Sequence, residues 1–170
     1  MFKRTLAALA ATFMLATSAQ ATVPATRTDL IDLLESIGID LVHGECNGMY
    51  GSYNTLHNRL CVNTVLFQAS NEHDFEDTLV HEAVHVAQDC LAGLDNPSMM
   101  SLITRAIEVG INEQEFKKFV IDNLEEQYYA PLREMTDPRV RDLEVEAYAF
   151  EDEIDFVYDL VRKSCANNWN

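Results

Sequence analysis

Basic residues are scarce in this chain of 170 residues, which carries 12 lysines and arginines against 28 aspartates and glutamates. The resulting formal net charge of −16 repels nucleic acids and anionic membrane surfaces. Basic polypeptide segments, by contrast, are electrostatically suited to such a surface. The composition therefore argues against nucleic acid as a partner and favours a peptide or protein partner that is basic.

Long uncharged apolar runs are also lacking, apart from one near the N-terminus. There Lys3 and Arg4 precede an apolar stretch, and a small-x-small cleavage pattern ends at Ala21. The stretch is too short to span a bilayer comfortably. We expect residues 1–21 to be a secretory signal peptide and residues 22–170 to form one exported domain, periplasmic or secreted, with no stable membrane insertion after cleavage.

Closely spaced cysteine pairs are absent as well, because the four cysteines stand at positions 46, 61, 90 and 165. Without a Cys-x-x-Cys unit, a four-cysteine zinc site is disfavoured. An even number of cysteines in an exported chain favours disulfide bonds. Of the three possible pairings we expect Cys46–Cys61, which closes a local hairpin, and Cys90–Cys165, which ties a central helix to the last helix.

The first part of the mature chain contains one helix signal and two strand signals. A threonine cap at Thr26 or Thr28 predicts a helix that ends at Gly38. Two short apolar segments, residues 39–42 and 59–62, flank a stretch rich in turn-forming residues. They predict a small antiparallel hairpin.

The rest of the chain predicts four helices. Their expected bounds are Ser70 or Asn71 to Gly93, Asp95 to Gly110, Glu113 to Tyr128, and Pro138 to Lys163. The last begins at an Asp-Pro start signal, and its apolar residues recur at alternating steps of three and four. We therefore expect an α+β fold that is mostly helical, with a small N-terminal antiparallel sheet, a central active-site helix and a long C-terminal helix.

The most informative stretch is His81-Glu82-Ala83-Val84-His85, in the first of these four helices. Residues four apart on a helix lie on one face, so both imidazoles can hold one metal ion. Glu82 is placed to take a proton from a metal-bound water. Uncharged residues flank the motif, as expected of a helix buried under an active site. The motif therefore predicts a zinc site with its own general base.

A catalytic zinc site normally has three protein ligands and a water, and this motif supplies two. No third histidine follows at the His-x-x-Gly-x-x-His spacing. The remaining common option is a carboxylate from a later helix. Glu144 and Glu146 flank the apolar stripe of the last helix at similar angles, so helical geometry alone does not separate them. Both stay candidates for the third ligand.

The segment Glu144-Val145-Glu146-Ala147, after the His-Glu-x-x-His motif, resembles the Glu-x-x-Ala arrangement of gluzincin metallopeptidases. Three further segments are similar to the mitochondrial metallopeptidase family that processes an ATP-synthase subunit: Cys61-Val62-Asn63, Thr78-Leu79-Val80-His81-Glu82 and Asp89-Cys90. The similarity covers about half of the mature chain, in separated patches. It implies a zincin-like domain, Zn²⁺ as cofactor, Glu144 as third ligand and a peptide or protein as substrate.

One position departs from that family pattern. Many gluzincins carry Asp or Asn four residues after the ligand glutamate, as a partner for a histidine, whereas this chain has Tyr148. A tyrosine there can instead stabilise the oxyanion of the transition state, as can Tyr128 or Tyr129. Asp89 is a candidate to orient a histidine, although a carboxylate on a helix surface is usually solvated. The other histidines are expected to be ordinary: His43, His57 and His73.

Three functions are consistent with these patterns. The first is an exported zinc metalloendopeptidase that hydrolyses peptide bonds with Glu82 as general base, and in which residues 59–63 provide an edge strand for an extended peptide. The alternative is a non-catalytic cell-envelope assembly factor or inhibitor with a structural metal site. The third is a metal-dependent hydrolase acting on a non-peptide amide, such as a linkage in cell-wall stem peptides.

Overall fold

The computed structural model describes residues 24–67, 72–94 and 97–166. The expected signal peptide, residues 1–21, lies outside them, as do the expected helix starts at Ser70, Asn71 and Asp95. Most of the described residues are helical, and three short strands form one mixed sheet. The predicted class, α+β and mostly helical, is confirmed.

The described elements follow one another along the chain with short connections. The helices are α1 (Arg27–Ser36), α2 (Thr64–Phe67), α3 (Glu72–Ala92), α4 (Leu102–Glu108), α5 (Glu113–Asn123), α6 (Tyr129–Glu134), α7 (Pro138–Phe150) and α8 (Ile154–Ser164). The strands are β1 (Asp40–Gly44), β2 (Gly51–Asn54) and β3 (Arg59–Asn63). A single 3₁₀ turn at Glu126–Tyr128 precedes α6.

The sheet is mixed, and the predicted antiparallel pairing of residues 39–42 with residues 59–62 is wrong. β3 lies in the middle, parallel to β1 and antiparallel to β2. β2 lies in the turn-rich stretch between the two predicted strands. It contains few strand-forming residues, so the sequence does not predict it. Because the chain reverses direction once before β2 and once after it, β1 and β3 run the same way.

The C-terminal helix is broken in two, where a single long helix was predicted. The chain leaves helical geometry at Glu153, whose φ of −114° and ψ of 60° separate α7 from α8. The steps of three and four continue unchanged across the break, so the periodicity does not reveal it. Both halves pack against α3, while α7 also contacts α5 and α8 also contacts α1. The break lets the chain follow two directions around α3.

Helix α4 begins later than predicted, at Leu102 rather than next to Asp95. Its first backbone N–H groups, those of Leu102 and Ile103, donate to the carboxylate of Glu146 at 2.7 and 2.9 Å. An acceptor of this kind satisfies N–H groups that have no partner inside the helix. The start of α4 is therefore set by a tertiary contact with α7, which local sequence signals do not contain.

Helix α3 is the centre of the core, and every residue from Leu79 to Cys90 is buried. The two predicted disulfides, Cys46–Cys61 and Cys90–Cys165, are both formed. The second joins the end of α3 to the residue after α8. Two disulfides are typical of proteins that mature in an oxidising compartment. None of the helices in the described ranges is long and apolar enough to cross a membrane.

Candidate metal centre

The two histidines of the motif lie side by side on one face of α3. The ring centroids of His81 and His85 are 5.1 Å apart, with the ring planes nearly perpendicular. The two residues are 8% and 6% exposed, in a helix against which the sheet, α7 and α8 all pack. Burial removes competing water and holds both rings in fixed orientations.

Glu144 completes a three-residue cluster. Its two carboxylate oxygens lie 3.3 Å from His81 Nε2 and 3.5 Å from His85 Nε2. A tetrahedral zinc centre with bonds of about 2.0–2.1 Å separates its ligand atoms by about 3.3–3.4 Å. One ligand atom from each of the three residues lies within 4.8 Å of the other two. Two imidazoles and a carboxylate at these separations fit a divalent metal ion.

Glu146 points away from this cluster. Its side chain is 3% exposed and accepts hydrogen bonds from the two N–H groups at the start of α4 and from the side-chain amide of Gln88. Residues two apart on a helix project about 200° apart, so α7 can present only one of the two glutamates to the histidines. The structure brings Glu144 to the centre.

Gln88 connects His85 to Glu146. The Nδ1 atom of His85 lies 2.8 Å from Gln88 Oε1, and Gln88 Nε2 donates to Glu146 at 2.8 Å. An acceptor at Nδ1 fixes the imidazole as the tautomer whose Nε2 is free to bind metal. Sequence reasoning missed this role, although Gln88 stands three residues after His85 and therefore near it on the helix surface.

Glu151 is the corresponding partner of His81. Its carboxylate lies 3.3 Å from His81 Nδ1 and also accepts a hydrogen bond from the hydroxyl of Tyr128. Glu151 stands seven residues after Glu144, two helical turns along, at the break between α7 and α8. The predicted unbroken helix gave no reason to single out Glu151.

Burial and hydrogen bonding have opposite effects on the pKa values of His81 and Glu144. Burial would lower the pKa of His81, but its hydrogen bonds to Glu144 and Glu151 outweigh this and raise the pKa to about 9. Burial would raise the pKa of Glu144, but the two imidazoles hold that pKa well below its ordinary range. At neutral pH the metal-free cluster therefore combines a carboxylate with a protonated imidazole, and a metal ion must displace the proton.

Glu82 faces strand β2. It is 7% exposed, and its carboxylate accepts a hydrogen bond from the backbone N–H of Tyr53. A Cβ atom on Gly51 would lie 2.8 Å from Glu82 Oε1 and 2.6 Å from Thr78 Cγ2, so only glycine lets the strand pass this close. Burial raises the pKa of Glu82, against the lowering effect of the two nearby imidazoles. A raised pKa suits a carboxylate that accepts a proton near neutral pH.

Tyr148 is the tyrosine that the fold places directly on the metal cluster. Its ring meets the His81 ring edge to face at 4.4 Å and stacks on Tyr128 at 4.2 Å. Burial and the negative charge of nearby carboxylates raise the pKa of Tyr148, so its hydroxyl stays a proton donor at neutral pH. Tyr129 lies at the start of α6 and packs against the core.

Asp89 does not orient a histidine, and it is not solvated. It is fully buried and accepts a hydrogen bond from the hydroxyl of Tyr53 at 2.7 Å, while its Oδ1 atom has no hydrogen-bond partner among the described residues. Burial raises the pKa of Asp89 to about 6, although the hydrogen bond from Tyr53 opposes the shift. The residue links α3 to β2.

The remaining histidines lie away from the cluster or outside the described side chains. His43 is exposed on β1 and stacks on Phe75 at 5.9 Å. His57 is exposed in the turn between β2 and β3. The side chain of His73 is outside the described residues.

Comparison of the chain with protein-family models, with curated proteins and with solved structures gives no match. The resemblance to gluzincins stays a prediction from the motif residues. Function must therefore be argued from the chemistry of the site.

Proposed function

We propose that the protein is an exported zinc metallopeptidase. One observation carries the proposal: a buried cluster of two imidazoles and a carboxylate stands beside a second buried carboxylate, Glu82, which is not one of the clustered residues. A structural metal site does not require a further carboxylate such as Glu82 next to the ion, whereas peptide hydrolysis requires a base there.

His81, His85 and Glu144 would hold the ion, with Gln88 and Glu151 fixing the orientation of the two imidazoles. Zinc bound there supplies a Lewis acid that polarises the scissile carbonyl and lowers the pKa of water.

Glu82 accepts the proton of the attacking water and later gives it to the leaving amine. Tyr148, a protonated donor beside His81, is placed to stabilise the oxyanion. An amide bond provides both groups: the carbonyl whose oxyanion Tyr148 stabilises and the leaving amine that Glu82 protonates.

Strand β2 is the element suited to hold the substrate. The prediction that residues 59–63 form an edge strand is wrong, because β3 pairs on both sides. Among the described strands β2 pairs with β3 alone, and the register directs the backbone groups of Gly51 away from β3. The backbone N–H of Tyr53 is directed the same way and donates to Glu82. Gly51 lies against Glu82. An extended peptide added alongside β2 would lie next to the general base.

The two disulfides support the exported part of the proposal, because they require an oxidising compartment to form and persist. The predicted signal peptide also supports export. Periplasmic space and external medium both satisfy this requirement.

The test is cleavage of an unfolded protein by the metal-loaded chain and by its Glu82→Gln variant. We expect the variant to keep one zinc per chain and to lose at least about 10³-fold in turnover, because it retains the shape of the site without the base. Peptidase activity that survives in the variant would overturn the mechanism. Unfolding on chelation with no cleavage by either protein would favour a structural metal site.

A further inference from the structure

Asp89 is a buried carboxylate that the proposed mechanism does not use. It lies on α3 seven residues after Glu82, which is two helical turns along the same face of the helix. The hydroxyl of Tyr53 donates to it at 2.7 Å, and its other oxygen, Oδ1, has no hydrogen-bond partner among the described residues. Burying a carboxylate with one oxygen unpaired costs free energy. A buried group of this kind calls for a functional explanation.

Tyr53 on β2 is held at two points on α3. Its backbone N–H donates to the carboxylate of Glu82, and its hydroxyl donates to Asp89. The antiparallel register directs the N–H of residue 53 away from β3, so its acceptor is Glu82 and not the neighbouring strand. The ring of Tyr53 is partly buried and packs against the core. The contact between β2 and Glu82 therefore depends on where the side chain of Tyr53 is anchored.

The N–H of Tyr53 fixes the orientation of the Glu82 carboxylate. A carboxylate has two oxygens, so one can accept from this N–H while the other stays available to the attacking water. Gly51, on the same strand, lies against the Glu82 side chain, since a Cβ there would be 2.9 Å from Glu82 Cγ. Misplacing a reacting group by about 1 Å can cost about 100-fold in rate. The position of β2 therefore matters for the position of the base.

We propose that Tyr53 is a positioning residue for Glu82, and that Asp89 is the anchor that holds Tyr53 in place. This inference rests on the proposed peptidase function, in which Glu82 is the general base. The rival explanation is that the hydrogen bond between Tyr53 and Asp89 only fastens β2 to α3. In that case, changes to the pair would reduce turnover only as far as they destabilise the fold.

The first experiment separates turnover from stability with the double variant Tyr53→Phe/Asp89→Leu. Replacing both partners of a buried hydrogen bond by apolar groups of similar shape leaves stability nearly unchanged, but here it removes the anchor. With fluorescently labelled casein as substrate, we expect the zinc-loaded double variant to lose about tenfold in kcat. Its zinc affinity and its denaturation midpoint should stay close to those of the wild type. Tyr158→Phe, which removes a hydroxyl from a partly buried tyrosine of α8, is the matched control and should keep the kcat of the wild type.

Two single variants at position 89 test for rescue. Asp89→Leu leaves the hydroxyl of Tyr53 without its acceptor, so kcat should fall as in the double variant. Asp89→Asn keeps an oxygen there and should recover most of that loss. A double variant that is as stable and as active as the wild type overturns the proposal. So does an Asp89→Asn variant that is no more active than Asp89→Leu.

The second experiment measures amide hydrogen exchange in the purified mature protein and needs no turnover. Because Glu82 is the acceptor of the Tyr53 N–H, we expect Glu82→Ala to lower the protection of this amide at least about tenfold. The double variant should lower it as well, whereas the amide of Val62 on β3 stays protected in both. Unchanged protection of residue 53 in either variant overturns the positioning role. Wild-type protein that cleaves no casein refutes the peptidase proposal instead, and exchange at residue 53 then still decides whether Tyr53 holds Glu82.

Discussion

The side-chain amide of Gln88 donates to the carboxylate of Glu146 at 2.8 Å, so the partner of His85 in the candidate metal centre is itself held by a second helix. Through this bond the orientation of the His85 ring depends on α7 and on the start of α4. The candidate metal centre is thus connected to backbone groups well outside it.

Gln88→Ala should weaken metal binding, because His85 loses the acceptor that fixes its tautomer. We expect the affinity for zinc to fall about 10- to 100-fold. Competition with a chelator of known affinity measures the change. Gln114→Ala, on the exposed surface of α5, is the control and should leave the affinity unchanged. Equal affinities in the two variants would show that Gln88 has no orienting role.

Glu151→Ala should have a similar effect through His81. The variant removes the acceptor at His81 Nδ1 and the partner of the Tyr128 hydroxyl. We expect about a tenfold loss of zinc affinity. Glu151→Gln, which keeps an oxygen at this place, should recover part of it. Asp152→Ala, at the exposed neighbouring position, serves as the control in the same chelator assay.

Gly51→Ala should reduce activity without removing the metal. The added methyl group would meet Thr78 and Glu82 at distances under 3.0 Å, so β2 must move away from α3. We expect kcat/KM to fall at least about tenfold and the free energy of unfolding to fall by about 1–3 kcal/mol. Gly44→Ala is a matched control, since a Cβ there meets nothing within 4 Å. Equal losses in the two variants would contradict the assigned contact.

Asp89→Asn should stabilise the protein above pH 6. The pKa of Asp89 is about 6 in the folded protein against an ordinary value of 3.8, so the folded state binds its proton more tightly than the unfolded state does. The charge therefore costs stability above pH 6, and the cost disappears as the pH falls towards 4. We expect a gain of about 1–2 kcal/mol at pH 7.5 and almost none at pH 4.

Denaturant unfolding of the wild type and Asp89→Asn across this pH range measures the difference. Asparagine removes the charge and keeps an oxygen that can accept from the hydroxyl of Tyr53. Asp32→Asn, at an exposed position of α1, controls for net charge. A gain that does not vary between pH 4 and 7.5 would contradict the assignment to Asp89.

The sequence contains the local signals of this fold and few of its tertiary ones. The His-Glu-x-x-His spacing and the threonine cap of α1 follow from short-range chemistry, and the cap is present as predicted. The two predicted disulfides are also formed, although Cys90 and Cys165 are 75 residues apart in sequence. The start of α4 and the break after α7 depend on contacts between distant segments. Neither the start of α4 nor the break after α7 changes the spacing of the apolar residues.

The candidate site divides in the same way. The positions of His81 and His85 follow from one helix, whereas the choice between Glu144 and Glu146 depends on how α7 is rotated against α3. That rotation is set by Glu146, which is held by Gln88 and the start of α4. The edge strand was misplaced because Gly51-Ser52-Tyr53-Asn54 resembles a turn, although its glycine is the residue that permits close contact with Glu82.

The most direct test of the account is a metal analysis of the purified mature protein beside two single variants. We predict one zinc per chain in the wild type, loss of zinc in Glu144→Ala, and zinc retained in Glu146→Ala with reduced thermal stability. The stability loss is expected because the N–H groups at the start of α4 would lose their acceptor. Zinc retained in Glu144→Ala, or no metal in the wild type, would contradict the proposed centre.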